Sequence, residues 1–309
     1  MVDLKLVGRL LRKIRKERNL RLTDLADVNI STATISAIER GIETVGEHKR
    51  VYLCQKLGID IHDIPKMLKE EEKMTSLIEK ELKLLETKID FGCSREVLDE
   101  LKGFESKKVF PETIHYLKAR YYLNKKPQNI NKAKKHFLEA IRIIKEKKKP
   151  DKTNIMASCL KELARISYFD GDIHQALEYA SQGIEVYEED GDRKDIIYYL
   201  LSGKVSYLDK LNRKDEALQT LAELWKSIAD INEISIKLNM FEIRASILNS
   251  KKHYDEALKY ATEGLKMAST NQDYERGIEI LTVLGDVHKN LRDYAMAEKY
   301  YNSALDLEN

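Results

Sequence analysis

Apolar positions recur three and four residues apart along almost the whole chain, the spacing that gives a helix one buried face. A first helix spans about 2–18, with Val7, Leu10, Leu11 and Ile14 as its inward stripe and basic residues over the remainder. From Leu20 to Gly41 the pattern shortens into two helices joined by a turn. Thr23 reads as the N-cap of the first, whose apolar face is Leu25, Ala26 and Val28. Asn29 and Ile30 turn the chain, and Ser31 caps a second helix that stops at Gly41. After a loop at 42–46, a further helix places Val51, Cys54 and Leu57 on one side before Gly58 closes it. A compact domain therefore occupies residues 1–65.

Two short capped helices joined this way are a helix-turn-helix, which predicts DNA binding. Ile35 and Ile38 face inward, so Thr32, Ala33, Ser36, Ala37 and Arg40 form the opposite stripe. With Thr23 and Thr34 at the two helix starts, they make up the expected DNA-facing set. Short Thr, Ser and Ala side chains suit close contact with base edges and thymine methyls, while Arg40 can reach a phosphate. The stripe offers little bidentate readout, so an A·T-leaning site read partly by shape is expected.

Residues 66–85 are strongly helical and highly charged, with Met67, Leu68, Met74, Leu77, Ile78, Leu82 and Leu85 as the apolar positions. The segment reads as a linker helix. Its stripe is also wide enough to pack against the C-terminal part of the chain or against a second copy of it.

Beyond the linker the chain repeats over residues 86–309. Five segments led by Ala133, Ala176, Ala217, Ala257 and Ala297 align at separations of 43, 41, 40 and 40 residues. A small residue returns seven positions later in four of them, as Ala140, Gly183, Gly264 and Ala304, where helices must approach closely. Each is preceded by another helix, such as those carrying Leu163-Ala164, Ala245 and Leu284-Gly285. This is the tetratricopeptide pattern with a period longer than the usual 34 or so, the excess lying in loops at 145–151 and 189–192. A degenerate first unit containing Leu98, Leu101 and Phe104 precedes the five clear ones. The fold class is all-α: an N-terminal helix-turn-helix followed by a right-handed tetratricopeptide-like α-solenoid.

Such a solenoid leaves a concave wall lined by the first helix of each unit. Projecting the register puts Arg120, Lys161, Arg165, Tyr199, Ser202, Ser206, Asn239, Glu242, Ser246 and Asn249 on that wall. Asparagine and arginine there can hold the backbone amides and the carboxylate of an extended peptide. The last unit ends without a polar capping helix, so either two copies cover each other's ends or the chain continues.

Composition narrows the chemistry. Only four prolines and thirteen glycines in 309 residues favour helix throughout. Net charge is +2, but residues 1–22 hold Lys5, Arg9, Arg12, Lys13, Arg15, Lys16, Arg18 and Arg21 against Asp3 and Glu17. That local excess is expected to face DNA phosphates. Cys54, Cys93 and Cys159 are far apart with no ligand spacing and read as buried, reduced thiols. The seven histidines are scattered and read as surface or packing residues. No His-Glu-x-x-His, phosphate loop or Gly-x-Ser-x-Gly appears, so no enzyme, metal site or cofactor is expected. No apolar run is long enough to span a bilayer, and a cytoplasmic location with no membrane partner is expected.

The stretch from Ile35 to Gly41, Ile-Ser-Ala-Ile-Glu-Arg-Gly, is similar to the XRE or Cro/C1 type of helix-turn-helix, though 25–31 is one residue shorter than the commonest phage-repressor form. Together with the alanine-led repeats, it resembles the peptide-pheromone receptors of Gram-positive bacteria known as the Rap, Rgg, NprR, PlcR and PrgX group. Phage arbitrium-type receptors that choose between lysis and lysogeny share this layout. The resemblance implies a homodimeric transcription regulator whose array binds a short imported signalling peptide and so alters binding to a double-stranded DNA operator. Two other readings stay open: an array that docks a protein partner, as Rap-type proteins do, and a constitutive phage-type repressor with no peptide ligand.

Overall fold

The computed structural model describes residues 3–92, 96–106 and 109–308. Two compact units divide the chain, Met1–Thr87 and Lys88–Asn309. Among the described residues there are sixteen α-helices and no strand.

The first unit holds α1 (Leu4–Glu17), α2 (Leu22–Leu25), α3 (Thr32–Glu39), α4 (Glu47–Lys56) and most of α5 (Ile64–Asp90). Asp3 starts α1 by accepting from the Lys5 amide at 2.8 Å. The stripe Val7, Leu10, Leu11 and Ile14 is buried with Leu25, Ile30, Ile35, Ile38, Leu53, Cys54, Leu57 and Ile64. Gly8 lets α1 cross the end of α3 closely: a Cβ there would lie 2.4 Å from the Ile38 carbonyl oxygen. Two turns further on, Arg15 is buried and grips Glu39 of α3 through two nitrogens, Nε to Oε1 at 2.5 Å and Nη2 to Oε2 at 2.9 Å. Its third nitrogen meets the Leu20 carbonyl at 2.8 Å.

Several expectations change here. Arg15 is spent inside the unit and is not one of the cations available to phosphate. Thr23 lies inside α2 and is not its cap; Arg21 holds that position, and its amide donates to Asp24 at 2.8 Å. Val28 is fully exposed because Val28 and Asn29 form the tip of the turn, while Ile30 goes into the core. Val51 is half-buried and Leu53 takes the inward position beside Cys54. The helix expected over 66–85 runs from Ile64 to Asp90 without a break, because Ile64 already anchors its first turn in the core of the first unit. Along it Ile78, Leu82, Leu85 and Ile89 are buried, whereas Met74, Leu77 and Leu84 are exposed.

The second unit contains α6 (Val97–Ser106) and then five helix pairs: α7 (Pro111–Asn124) with α8 (Ile130–Glu146), α9 (Ile155–Phe169) with α10 (Ile173–Glu185), α11 (Ile196–Lys210) with α12 (Lys214–Trp225), α13 (Ile234–Ser250) with α14 (Tyr254–Asn271), and α15 (Tyr274–Asn290) with α16 (Tyr294–Glu308). The first helices α7, α9, α11, α13 and α15 touch in succession, and each second helix packs on the first helix of the next pair. Second helices make at most glancing contact with one another. The first-helix side is therefore the shorter one and forms the inside of the curve.

The leading alanines are all buried, from Ala133 to Ala297. Within four of the pairs the turn has the same hydrogen bonds, with a left-handed residue at Gly171, Asn212, Lys252 and Arg292. The amide after each reaches back five residues: Asp172 to Ser167, Arg213 to Leu208, His253 to Leu248 and Asp293 to His288, all at 2.9 Å. Between pairs, Asn154 fixes the 186–195 loop, its side-chain amide donating to the Glu188 and Asp192 carbonyls at 2.9 and 2.7 Å. Cys54 and Cys159 are buried, and burial pushes both thiols up from their ordinary range; Cys93 lies outside the described residues. No described helix is long and apolar enough to cross a membrane.

These contacts lead to two stability predictions. Glu39→Ala strands the buried Arg15 charge and is expected to cost about 3 kcal/mol in urea unfolding, whereas the apolar pair Arg15→Met with Glu39→Leu returns close to wild type. Gly171→Ala is expected to lose about 1 kcal/mol, since only its positive φ of 84° opposes the methyl group, and Arg292→Gly to gain roughly 0.5 kcal/mol at φ 63°. Thermal melts of the four variants beside wild type check both signs.

Candidate nucleic-acid interface and concave wall

The helix-turn-helix is set by one carboxylate that sequence reading passed over. Asp27 Oδ1 accepts from the amides of Asn29 at 2.8 Å and Ile30 at 3.1 Å, making the turn between α2 and α3. Its Oδ2 receives Lys56 of α4 at 2.5 Å and the Tyr52 hydroxyl at 2.7 Å. Lys56 and Tyr52 hold the Asp27 carboxyl well below the usual carboxylate range. An aspartate two residues before an asparagine, just ahead of a cap serine, is the signal that marks such a turn. Ser31 then starts α3, its hydroxyl accepting from the Thr34 amide at 3.1 Å and lying 2.9 Å from the Thr34 hydroxyl.

With Ile35, Ile38 and Glu39 buried, α3 turns its other side outward. Thr32, Ala33 and Arg40 are exposed, and Thr34, Ser36 and Ala37 line the same helix. Thr23 is exposed on α2. Arg40 Nε folds back on the Ser36 carbonyl at 3.3 Å, a contact it can exchange for a phosphate oxygen. Of the N-terminal basic residues Lys5, Arg9, Arg12 and Lys16 are exposed, and Lys13 pairs with Glu71 at 2.7 Å.

On the inside of the array the residues expected from the register fall into three groups. Around α7 and α9 the centre is Glu162, a buried carboxylate that the sequence reading did not include. Lys161 approaches it at 2.5 Å and Arg165 at 3.1 Å. Burial opposes its ionisation, but Lys161 and Arg165 hold it below its ordinary value. Lys161 also lies over the Tyr199 ring at 5.2 Å, and burial pushes the Tyr199 hydroxyl up to about 12. Arg120 donates to the Tyr116 hydroxyl at 2.9 Å and pairs with Asp90.

The second group spans three helices. Asn239 of α13 donates to the hydroxyls of Ser202 at 2.8 Å and Ser206 at 3.2 Å on α11, and its carbonyl accepts from Arg276 of α15 at 3.4 Å. Arg276 in turn pairs with Glu279 at 2.6 Å. Burial first, and then the neighbouring Glu279, push the Glu242 carboxyl up to about 7. Arg276 and Glu279 belong to α15, one first helix beyond the residues expected from the register.

The third group stands apart. Asn249 is buried at the end of α13 and accepts from Asn290 at 2.9 Å, tying two first helices together. Ser246 is half-buried and lies between Asn249 and Glu242 in sequence. Among the described residues, no group of three or more His, Cys, Asp or Glu has the placement to hold a metal ion.

Residues 278–309 match the tetratricopeptide repeat family, a segment that takes in most of α15 and all of α16. Protein POLLENLESS 3-LIKE 1 of Arabidopsis thaliana is 28% identical over 137 residues, covering 38% of this chain, and the chain spans 28% of that relative's length. Among solved structures, the chain is similar to Bacillus thuringiensis PlcR in complex with the peptide PapR7 and DNA, at 16% identity and a TM-score of 0.45, covering 87% of this chain and 95% of that one. It is also similar to the apo competence regulator ComR from Streptococcus vestibularis, at 12% identity and a TM-score of 0.43 over 94% and 99% of the two chains. For the PrgX/iCF10 complex the identity is 13% and the TM-score 0.45, over 98% and 97%. At TM-scores below 0.5, the fold rests on the chain's own residues.

The raised Glu242 gives a pH signature. Its folded value of about 7 lies above the ordinary 4.5, so the folded chain binds this proton more tightly than the unfolded one. That contribution is complete below pH 4.5 and is lost as pH rises through 7. Glu242→Gln is therefore expected to match wild-type stability at about pH 4.5 and to exceed it above about pH 7, as read from urea midpoints across that range.

Proposed function

We propose that this chain is a DNA-binding transcription regulator whose repeat array takes a short linear peptide on its concave wall and couples that binding to operator affinity. The observation that carries the reading is the Ser202, Ser206, Asn239 and Arg276 network, which gathers amide, hydroxyl and guanidinium groups from three successive first helices. Side-chain amides are the groups that satisfy an extended peptide's own N–H and C=O pairs without regard to its sequence. Lys161 and Arg165 lie along the same wall and supply charge for a carboxylate.

The DNA-reading half of the proposal rests on α3, slim and small-residued on its outward side, with Lys5, Arg9, Arg12 and Lys16 exposed on α1. The chain acts as a homodimer in this reading, because two recognition helices reach successive major grooves only when held about 34 Å apart. A peptide alters operator affinity only by favouring one arrangement of the two DNA readers, and a coupling of about 1–3 kcal/mol is typical.

Native mass spectrometry of the full chain with synthetic peptides drawn from small reading frames beside its gene tests the ligand. One peptide per subunit is expected, with about tenfold weaker binding for Asn239→Ala. A duplex selected from a random pool tests the DNA half: Arg40→Ala is expected to lower the slope of log affinity on log salt by about 1. No bound peptide, or an operator affinity that the peptide leaves unchanged, overturns the coupling.

A further inference from the structure

On the side of α13 turned away from the concave wall, three rings and one cation form a cluster that the function proposed above does not use. Arg244 stands two positions from both Glu242 and Ser246, so it points to the opposite side of the helix. Its guanidinium carbon lies 4.5 Å from the centre of the Trp225 ring, at the end of α12, and 4.2 Å from that of Tyr260 in α14. The rings hold each other in place. Trp225 and Tyr260 meet edge to face at 5.5 Å and 78°, and Trp225 meets the buried Phe241 at 5.1 Å and 75°. Arg244 is thus fixed in the corner of two rings contributed by two different helix pairs.

Arginine beside a ring uses the face of its guanidinium and keeps its N–H edges for hydrogen bonds. Those edges have no use within the chain: among the described residues the Arg244 guanidinium makes no hydrogen bond and no ion pair. It is half-buried, and so open to an incoming group on one side. Lys259 Nζ, 6.0 Å from the centre of the Tyr260 ring, adds a second positive charge. A rigid guanidinium with aromatic surface beside it is the complement of a carboxylate that carries an apolar group. The two oxygens take the N–H edge and the apolar group lies on the rings. A polyanion fits less well. α12 carries three acidic residues to one lysine and α14 three to two, so a nucleic-acid backbone or an anionic membrane meets like charge on both flanks.

We propose that Arg244, Trp225 and Tyr260 form a binding site for a carboxylate attached to an apolar group, separate from the concave wall. Two sources present that chemistry: a small aromatic acid, and an acidic side chain next to an apolar one in a protein segment. Either places its carboxylate on Arg244. The site bridges the third and fourth helix pairs, so an occupant ties α12 to α14, which otherwise make little contact.

Trp225 is the single tryptophan of the chain, so its fluorescence reports on this site directly. Titrating the full chain with 3-phenylpropionate is expected to change Trp225 emission saturably, whereas the uncharged 3-phenylpropanamide and sodium chloride at matched ionic strength do not. The blocked dipeptide acetyl-Phe-Asp-amide separates the sources: tighter binding than 3-phenylpropionate assigns a protein segment, weaker binding a small acid. Arg244→Gln is expected to abolish the saturable change, and Arg244→Lys, which keeps the charge but loses the fork, to weaken binding about tenfold. Circular dichroism confirms that both variants are folded. An equal response to acid and amide, a response to inorganic phosphate in place of the carboxylates, or one that survives Arg244→Gln overturns the site, as does the absence of a saturable response to either carboxylate.

Discussion

The array depends on how closely its helices can approach. Each second helix meets its neighbours across Ala133, Ala176, Ala217, Ala257 or Ala297, all buried. Two turns further on the room is tighter still: a Cβ on Gly264 would lie 2.9 Å from the Cβ of Phe241. Extra methylenes here force neighbours off their rotamers at about 1–3 kcal/mol. Small residues at these positions let first helices touch one another, and that contact draws Ser202, Asn239 and Arg276 from three helices into one network. The wall is thus a consequence of the packing on its far side.

The first unit solves the same problem with charge. α3 has eight residues, too few to hold itself in water. Gly8 brings α1 onto its end, and the Arg15–Glu39 pair locks the crossing. Bidentate pairing of a planar guanidinium with a carboxylate fixes angle as well as distance. Asp27 does the equivalent at the other end, joining the turn to Lys56 and Tyr52 of α4. The outward side of α3 is left with short side chains because its position is held from behind.

Helical periodicity made most of this legible in the sequence. The inward stripe of α1, the Ile35–Ile38 pair and the leading alanines are evident from spacing alone, since burial repeats with the helix period. What escaped depends on contacts between residues far apart in sequence. Arg12 and Arg15 both approach Glu39, yet Arg15 is buried against it and Arg12 is exposed, a difference set by where α3 lies. Val28 and Leu25 are both apolar and three apart, but the helix ends between them, so the period no longer applies. His115 and His136 are distant in sequence, yet their Nδ1 atoms meet at 2.9 Å through the packing of α7 on α8. Ser202, Ser206 and Asn239, picked out by the register, meet in one network; the burial of Glu162 and the reach of Arg276 to Asn239 become evident only when neighbouring helices are placed.

The same network would link a contact made at the wall to the rest of the array. Asn239 has one amide and spends it on Ser202 and Ser206, which belong to the preceding first helix, while its carbonyl serves Arg276 on the next one. A ligand that takes either end of this side chain takes it from a bond between repeats. The exchange costs little in itself, because a hydrogen bond lost and a hydrogen bond gained differ by about 1 kcal/mol or less. Its effect is positional: α11 and α13 lose a tie on the inside of the curve and gain one through the ligand. Because interiors are close-packed and repack between discrete arrangements, a small change of spacing at this point is carried along the stacked pairs. A wall made of inter-helix hydrogen bonds is therefore coupled to curvature in a way that a wall of independent surface residues is not.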